Sequence, residues 1–233
     1  MGGRGGAGAT TLAVALAMSA RRLGHHTLLI DADPLGGGVD LVLGGEAARG
    51  LRWSGLADTH GRVSATALRD ALPRLCDLSV LSFDRTEPFT VSDGAMRAVL
   101  DAGCRANEVV VVDLPRRLDE AGRVVLDRAD LTLLVVPAEI RATAAAARVV
   151  AGAGLVAADL RVVVRGPAPS KLSAETVAGC LGLPLAADLR AEPNIAASLE
   201  RGVPPARRGR GPLATFCMEL LQQVLPAAGR SAA

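Results

Sequence analysis

Length, composition and charge set the first limits on this chain. It has 233 residues, of which 50% are hydrophobic, so it can bury one sizeable core in a single domain. The formal net charge of +2 and the 2% aromatic content argue against a protein that binds nucleic acid through a broad basic surface or by base stacking. No apolar segment reaches the ~18 residues of a transmembrane helix, and we therefore expect a cytoplasmic protein.

The first twelve residues, MGGRGGAGATTL, join a glycine-rich segment to an apolar run with helical spacing. Glycine allows backbone N–H groups to approach an anion closely. A helix that begins directly afterwards adds its own unpaired N–H groups and the positive end of its dipole. The segment therefore predicts a loop that binds phosphate.

Two phosphate-binding templates fit this segment. Gly3, Gly5 and Gly8 match G-x-G-x-x-G, and Asp31 follows about twenty residues later, as in dinucleotide-binding proteins. The second template is a P-loop, in which Gly-Lys precedes Ser or Thr. Here Ala9 stands in the place of the lysine and Thr10 follows it. The glycines alone leave both alternatives open.

Short apolar strands alternate with helices along the rest of the chain. We predict helices at 10–23, 39–43, 64–72, 89–102, 120–127, 142–152, 173–181 and 213–224, and strands at 26–30, 78–83, 108–114, 131–136, 161–164 and 183–188. This alternation predicts an α/β fold, a doubly wound and mostly parallel sheet with helices on both faces. We expect residues 1–225 to form one domain and residues 226–233 a disordered tail.

Acidic residues end two of the predicted strands, Asp31 and Asp33 after the first and Asp113 after a later one. In a parallel sheet these ends lie at one edge, where ligands bind. Mg²⁺ prefers oxygen ligands and is usually coordinated by one or two carboxylates together with the substrate's phosphates. We therefore expect Thr10 to supply a hydroxyl ligand and Asp113 to hold a metal-bound water.

Several motifs, in order and spacing along nearly the whole chain, resemble one family. Residues 4–11 (RGGAGATT) are similar to the loop K-G-G-x-G-K-[ST]-T, residues 28–34 (LLIDADP) to a switch I segment, and residues 109–115 (VVVVDLP) to a Walker B strand. Residues 135–139 and 202–204 resemble a later strand end and a late loop. The family that these motifs resemble is the MinD/ParA group of partition-type P-loop proteins. The likeness favours the branch of CpaE, TadZ and the septum-site-determining protein Ssd.

The resemblance implies a P-loop NTPase-like protein that binds ATP or ADP with Mg²⁺ in a homodimer and positions division-site, pilus or secretion machinery. It makes Asp33 the catalytic residue that orients water, and Thr10 and Asp113 the metal-binding residues. It also implies that Arg4 takes the place of a lysine that reaches the partner subunit's phosphates. The implied nucleotide-binding residues are Arg4, Gly5, Gly6, Ala7, Gly8, Ala9, Thr10 and Thr11.

Two departures from the family pattern modify this expectation. Ala9 removes the lysine that contacts the β- and γ-phosphates, so we expect a weak or inactive ATPase that acts as a regulatory module. A central strand normally precedes the P-loop, whereas Met1 stands almost inside it, so we expect an N-terminally truncated domain that lacks this strand.

Alternatives to this interpretation remain in the sequence. A scaffold that binds no nucleotide is the second hypothesis, favoured by Ala9, and an NAD-type oxidoreductase is the third. Contact with DNA or an acidic membrane through Arg207, Arg208 and Arg210 is one alternative, but the sequence favours a solvated loop, because nothing around these residues extends the basic patch. A peripheral position of the protein at the inner face of the membrane is a further alternative.

Overall fold

The computed structural model of the chain describes residues 1–56, 59, 61–85, 90–168 and 171–225. The strands are β1 (Thr27–Asp31), β2 (Arg74–Leu75), β3 (Leu78–Leu81), β4 (Val109–Asp113), β5 (Thr132–Pro137), β6 (Leu160–Arg165) and β7 (Leu185–Leu189). The α-helices are α1 (Ala9–Arg22), α2 (Val39–Val42), α3 (Ala65–Ala71), α4 (Asp93–Ala106), α5 (Glu120–Arg128), α6 (Ile140–Ala153), α7 (Ala174–Leu181), α8 (Ile195–Leu199) and α9 (Pro212–Val224). A 3₁₀ turn spans Trp53–Leu56.

The strands form two groups, ordered β2-β3-β1-β4 and β5-β6-β7. Pairing is parallel throughout except between β2 and β3. The register of β1 and β4 sets Asp31 opposite Asp113 at the carboxyl ends of both strands. The predicted parallel α/β sheet is confirmed, and it brings the two strand-end acids together.

A gap separates β4 from β5. Residues 1–3 lie beside β5 in parallel: the Gly3 N–H donates to the Val135 carbonyl (2.8 Å) and the Val135 N–H to the Met1 carbonyl (3.0 Å). Beyond this short stretch, a cavity of about 430 Å³ lies between the edges of the two strands. Among the described residues no strand fills it. That the domain is truncated at its amino end stays a prediction.

Helix α1 joins the two strand groups. Leu12 and Ala15 belong to the apolar cluster that includes Val135 of β5. Val14, one position away along the helix, packs in the cluster around Leu29 of β1. Helix α9 packs on α1, and helices α4 to α7 cover the opposite face. Because α1 contacts both groups, its amino end is fixed above the carboxyl ends of the strands.

The predicted elements agree with the observed ones apart from their bounds and three omissions, one of which is the 3₁₀ turn at Trp53–Leu56. Strand β2 and helix α8 were not predicted, since two and five residues give little periodic signal. Helix α4 begins later than expected because Ser92 caps it, its hydroxyl accepting from the Ala95 N–H at 3.1 Å. Phe89, the predicted start, and the predicted tail 226–233 lie outside the described residues.

Candidate functional site

The glycine-rich loop reaches α1 through two residues with left-handed backbone. Gly6 has φ of +67° and Gly8 of +97°, values that L side chains rarely adopt. Gly8 is the N-cap of α1, and no side chain caps the helix. The N–H groups of Ala9, Thr10 and the next residue therefore point outward without a side-chain acceptor among the described residues. Together with the helix dipole, these N–H groups have the arrangement that suits an anion.

Close packing fixes the base of this loop. A Cβ on Gly3 would lie 2.8 Å from the Ala146 Cβ of α6 and 3.0 Å from Val136 Cγ2, so only glycine fits there. Ala7 is buried, and its N–H donates to the Arg4 carbonyl at 3.3 Å. Gly5 is exposed. The loop is thus anchored below and open above, the shape needed for a ligand held by backbone groups.

Asp31 organises the segment that follows β1. Its side chain is 2% exposed and accepts from the Asp33 N–H and the Val39 N–H, both at 3.1 Å. The buried indole of Trp53 donates to the Asp31 carbonyl at 2.7 Å. Burial raises the pKa of Asp31 to about 7, with smaller contributions from the charges of Asp113 and Asp33. Asp31 therefore shapes the loop rather than facing a ligand.

Asp113 is also buried and lies beside the first turn of α1. It is 4% exposed, and burial raises its pKa against the opposing effects of the adjacent Thr10 hydroxyl and the Met1 amino group. The charge of Asp33 raises it further. The structure thus brings Thr10 and Asp33 close to Asp113, and the roles of all three in binding and catalysis stay predictions.

These groups fit a magnesium ion that takes the rest of its coordination shell from water and phosphate. Within the described part of the chain, no three His, Cys, Asp or Glu side chains form a metal-binding cluster. A hydroxyl and one buried carboxylate beside an anion-binding loop suit Mg²⁺, which takes its other ligands from water and phosphate.

Asp33 is half-buried at the start of a turn. The Leu35 N–H donates to its Oδ1 at 3.1 Å, and the Gly36 N–H to its carbonyl at 3.0 Å. One carboxylate oxygen therefore orders the turn, while the other accepts no hydrogen bond from the described residues. This geometry is compatible with the predicted catalytic role.

The sequence left two neighbours of the loop without a role. Glu139, after β5, accepts from Arg4 Nη2 through both oxygens, at 3.1 and 3.2 Å. Arg165, the last residue of β6, lies against Gly8: a Cβ there would be 3.7 Å from Arg165 Cδ. Glu139 lies two residues after β5 and Arg165 is the last residue of β6, and that position at the end of an apolar strand is the signal that pointed to both.

Comparison with known proteins supports the resemblance seen in the motifs. The family model of the cellulose biosynthesis protein BcsQ matches residues 1–150. The chain belongs to the BcsQ/MinD–ParA family of P-loop proteins. The P-loop, strand-end acids and parallel sheet described above are the features expected for this family.

Individual proteins and solved structures that are similar to this chain agree with the family match. The uncharacterized protein Rv3660c of Mycobacterium tuberculosis is 48% identical over 229 residues, which cover 98% of this chain and 63% of that protein. The chain thus spans less than two thirds of this relative. MinD in the MinC:MinD complex of Aquifex aeolicus has a TM-score of 0.76 at 22% identity, covering 97% and 95% of the two chains. MinD of Pyrococcus horikoshii, complexed with Mg-ADP, has a TM-score of 0.71 at 18% identity, covering 98% and 95%.

Three further observations concern this member of the MinD/ParA family. Ala9 is the first residue of α1, so no amine at that position reaches over the loop. Among the described residues, no helix is long and apolar enough to cross a membrane. Arg207 and Arg208 are exposed in the loop before α9. Contact of that loop with DNA or lipid stays a prediction.

Proposed function

We propose that this chain is a nucleotide-controlled positioning module that binds ATP or ADP with Mg²⁺ and hydrolyses ATP slowly or not at all. The observation that carries the proposal is the uncapped amino end of α1, which opens beside Thr10 and Asp113. Backbone N–H groups for phosphate and oxygen ligands for a cation stand next to each other there. The Mg-ADP complex of the Pyrococcus protein supports the same ligand class.

Each predicted residue has a role in this proposal. The loop from Gly5 to Thr11 holds the phosphates through backbone N–H groups. Thr10 and Asp113 hold Mg²⁺, directly and through a water, and the ion neutralises phosphate charge. Asp33 orients the attacking water. Arg4 reaches the phosphates of a second subunit once Glu139 releases it.

Ala9 accounts for the proposed weakness of hydrolysis. A hydrogen bond to a charged group contributes roughly 1.5–3 kcal/mol, and losing one donor to a transition state slows chemistry by about 10²–10³. Binding through the N–H groups and Mg²⁺ persists, since neither depends on the lysine. The chain then acts by binding the nucleotide rather than by repeated ATP hydrolysis.

The proposed oligomeric state and partners rest on the same family resemblance. We propose a homodimer with ATP between the subunits, in the cytoplasm or peripheral to the inner face of the membrane. Its partner is a protein of the division-site or the pilus or secretion machinery, as in the CpaE, TadZ and Ssd branch. The complex of Aquifex MinD with MinC supports a protein as the kind of partner.

The test is a thermal-shift titration of the chain with ATP, ADP or NAD, each with Mg²⁺ and with EDTA. Occupancy stabilises the folded state by about 2.7 kcal/mol at one hundred times Kd. We expect stabilisation by ATP and ADP that is larger with Mg²⁺ than with EDTA. Stabilisation by NAD alone would favour the dinucleotide alternative. A folded chain that responds to no nucleotide would be a scaffold, which the absence of an amine at Ala9 already favours as the second candidate.

A further inference from the structure

The guanidinium of Arg165 lies against the P-loop from the side of β6. The backbone holds it there, because Arg165 pairs with Pro137 of β5 and its carbonyl accepts from the Ala138 N–H at 3.0 Å. A Cβ on Gly8 would lie 3.7 Å from Arg165 Cδ and 3.8 Å from Nε. A long cationic side chain therefore runs alongside the residue from which α1 begins.

The Nε atom of Arg165 is buried and has no hydrogen-bond partner among the described residues. Only two other side-chain atoms in the described part share that state, and one of them is Nε of Arg4, at the other end of the same loop. A buried donor without an acceptor is costly, and an anion bound beside it would remove that cost. The two guanidinium groups thus flank the loop with unmet donors.

The two arginines differ in what else holds them. Arg4 is tied to both oxygens of Glu139, and its Nη1 donates to the Gly5 carbonyl at 3.0 Å. Arg165 has no ion pair or side-chain hydrogen bond with the described residues. Its charge is therefore available to an anion on the loop, whereas that of Arg4 is already matched.

We propose that Arg165 supplies the cationic contact to the nucleotide phosphates that Ala9 cannot make. This inference rests on the proposed nucleotide site. A guanidinium can contact phosphate oxygens with two parallel hydrogen bonds, which an ammonium cannot. In the family pattern the positive charge of the site is a lysine in the first turn of α1, whereas in this chain it is Arg165 at the end of β6. The ligand class is the di- or triphosphate of a nucleotide rather than its base.

The test is an equilibrium titration with MgATP and with tripolyphosphate, which carries no base. We expect Arg165→Ala to weaken both about ten- to hundredfold, and Arg165→Lys to lie between that variant and the wild type. Arg148→Ala is the matched control, because it removes the same charge from an exposed position on α6. We expect this control to bind both ligands as the wild type does.

A second variant separates contact with phosphate from effects on folding. Adding Ala9→Lys to Arg165→Ala restores most of the lost affinity if both side chains serve the same phosphates. The melting temperature of Arg165→Ala without ligand should be no lower than that of the wild type, since a buried unpaired donor is removed.

The outcomes distinguish the two proposals. A wild type that binds neither ligand overturns the nucleotide site and this inference with it. A wild type that binds MgATP, with Arg165→Ala unchanged, overturns the inference alone. Weakened MgATP with unchanged tripolyphosphate would mean that Arg165 touches the base, and that result also overturns it.

Discussion

Asp31 and Asp113 end the neighbouring parallel strands β1 and β4 at paired register positions, and both carboxylates are buried. The Ala32 N–H donates to the Asp113 carbonyl at 2.9 Å, so the backbone continues the pairing one residue beyond β1. The two acids have different surroundings. Asp31 is held by two backbone N–H groups, whereas Asp113 lies beside Thr10. One carboxylate therefore builds the loop and the other faces the proposed ligand.

The first prediction concerns the pH dependence of stability. The pKa of Asp31 is raised from 3.8 to about 7 in the folded chain. Because the folded state binds this proton more tightly than the unfolded state, its contribution is complete below pH 3.8 and is lost as the pH rises to about 7. Relative to Asp31→Asn, the wild type should lose up to about 4 kcal/mol between pH 4 and pH 7.

Urea unfolding of the wild type and Asp31→Asn at one-unit steps from pH 4 to pH 8 measures this difference. The variant also loses an acceptor for the Asp33 or Val39 N–H, but that effect is a constant offset across the pH range. Two parallel stability curves would show that Asp31 does not titrate in this window.

The second prediction concerns magnesium. Mg²⁺ should increase the affinity for ATP. In Thr10→Ala and in Asp113→Asn this increase should be smaller by a factor of about 10 to 100, since each variant removes an oxygen from the ion's surroundings. Thr11→Ala is the control, because it removes a hydroxyl one residue later and keeps its backbone N–H. Isothermal titration with and without EDTA measures the gain. An undiminished gain in Asp113→Asn would remove Asp113 from the metal site.

The third prediction restores the absent lysine. Ala9→Lys should raise kcat for ATP hydrolysis by about 10²–10³, because it returns a donor to the transition state. Ala9→Gln, of similar length but uncharged, should gain much less. The double variant that combines Ala9→Lys with Asp33→Asn should lose the gain, because Asp33 orients the attacking water. A phosphate-release assay that finds no gain in Ala9→Lys would mean that lysine loss does not limit hydrolysis.

The loop and the strand-end acids could be predicted from sequence because their signals are local. Gly6 and Gly8 adopt the positive φ values that only glycine accepts readily, and Thr10 follows at a fixed distance along α1. Asp113 follows an unbroken apolar run, which marks the end of a buried strand. Spacing along the chain was sufficient for each of them.

The contacts that complete the site could not be predicted in this way. Arg4 and Glu139 are 135 positions apart, and Gly8 meets Arg165 only because β6 pairs with β5. The Trp53 bond to the Asp31 carbonyl likewise depends on how a loop folds back over β1. Side chains from distant segments meet through tertiary packing, and no local pattern records that.

The fourth prediction concerns the pair of Arg4 and Glu139. The two side chains are 35% and 40% exposed, so the pair contributes at most about 1 kcal/mol to stability. Glu139→Gln should therefore leave the melting temperature nearly unchanged. By releasing Arg4 for a second subunit, it should strengthen ATP-dependent dimerisation by up to about fivefold. Sedimentation of wild type, Glu139→Gln and Arg4→Ala measures this, and Arg4→Ala should dimerise least. Equal dimerisation of all three would assign Arg4 to its own loop only.

The last prediction concerns the gap between β4 and β5. The central residues of β4 are half-buried, whereas every residue of β1 is buried, because that side of β4 faces the cavity. The chain at Met1 already runs parallel to β5, with the Met1 amino group donating to the Leu133 carbonyl at 3.1 Å. Five apolar residues added directly before Met1 would therefore continue between the two strands.

Such an extension, built from valine and alanine, should raise the melting temperature by at least about 5 °C, since each kcal/mol shifts it by roughly 2–4 °C in a chain of this size. It pairs two open strand edges and fills the apolar cavity. The control is an extension of equal length with prolines at its second and fourth positions, which lacks the N–H groups for pairing. Calorimetry of both chains decides the matter. Equal melting temperatures would mean that the cavity does not accept a strand.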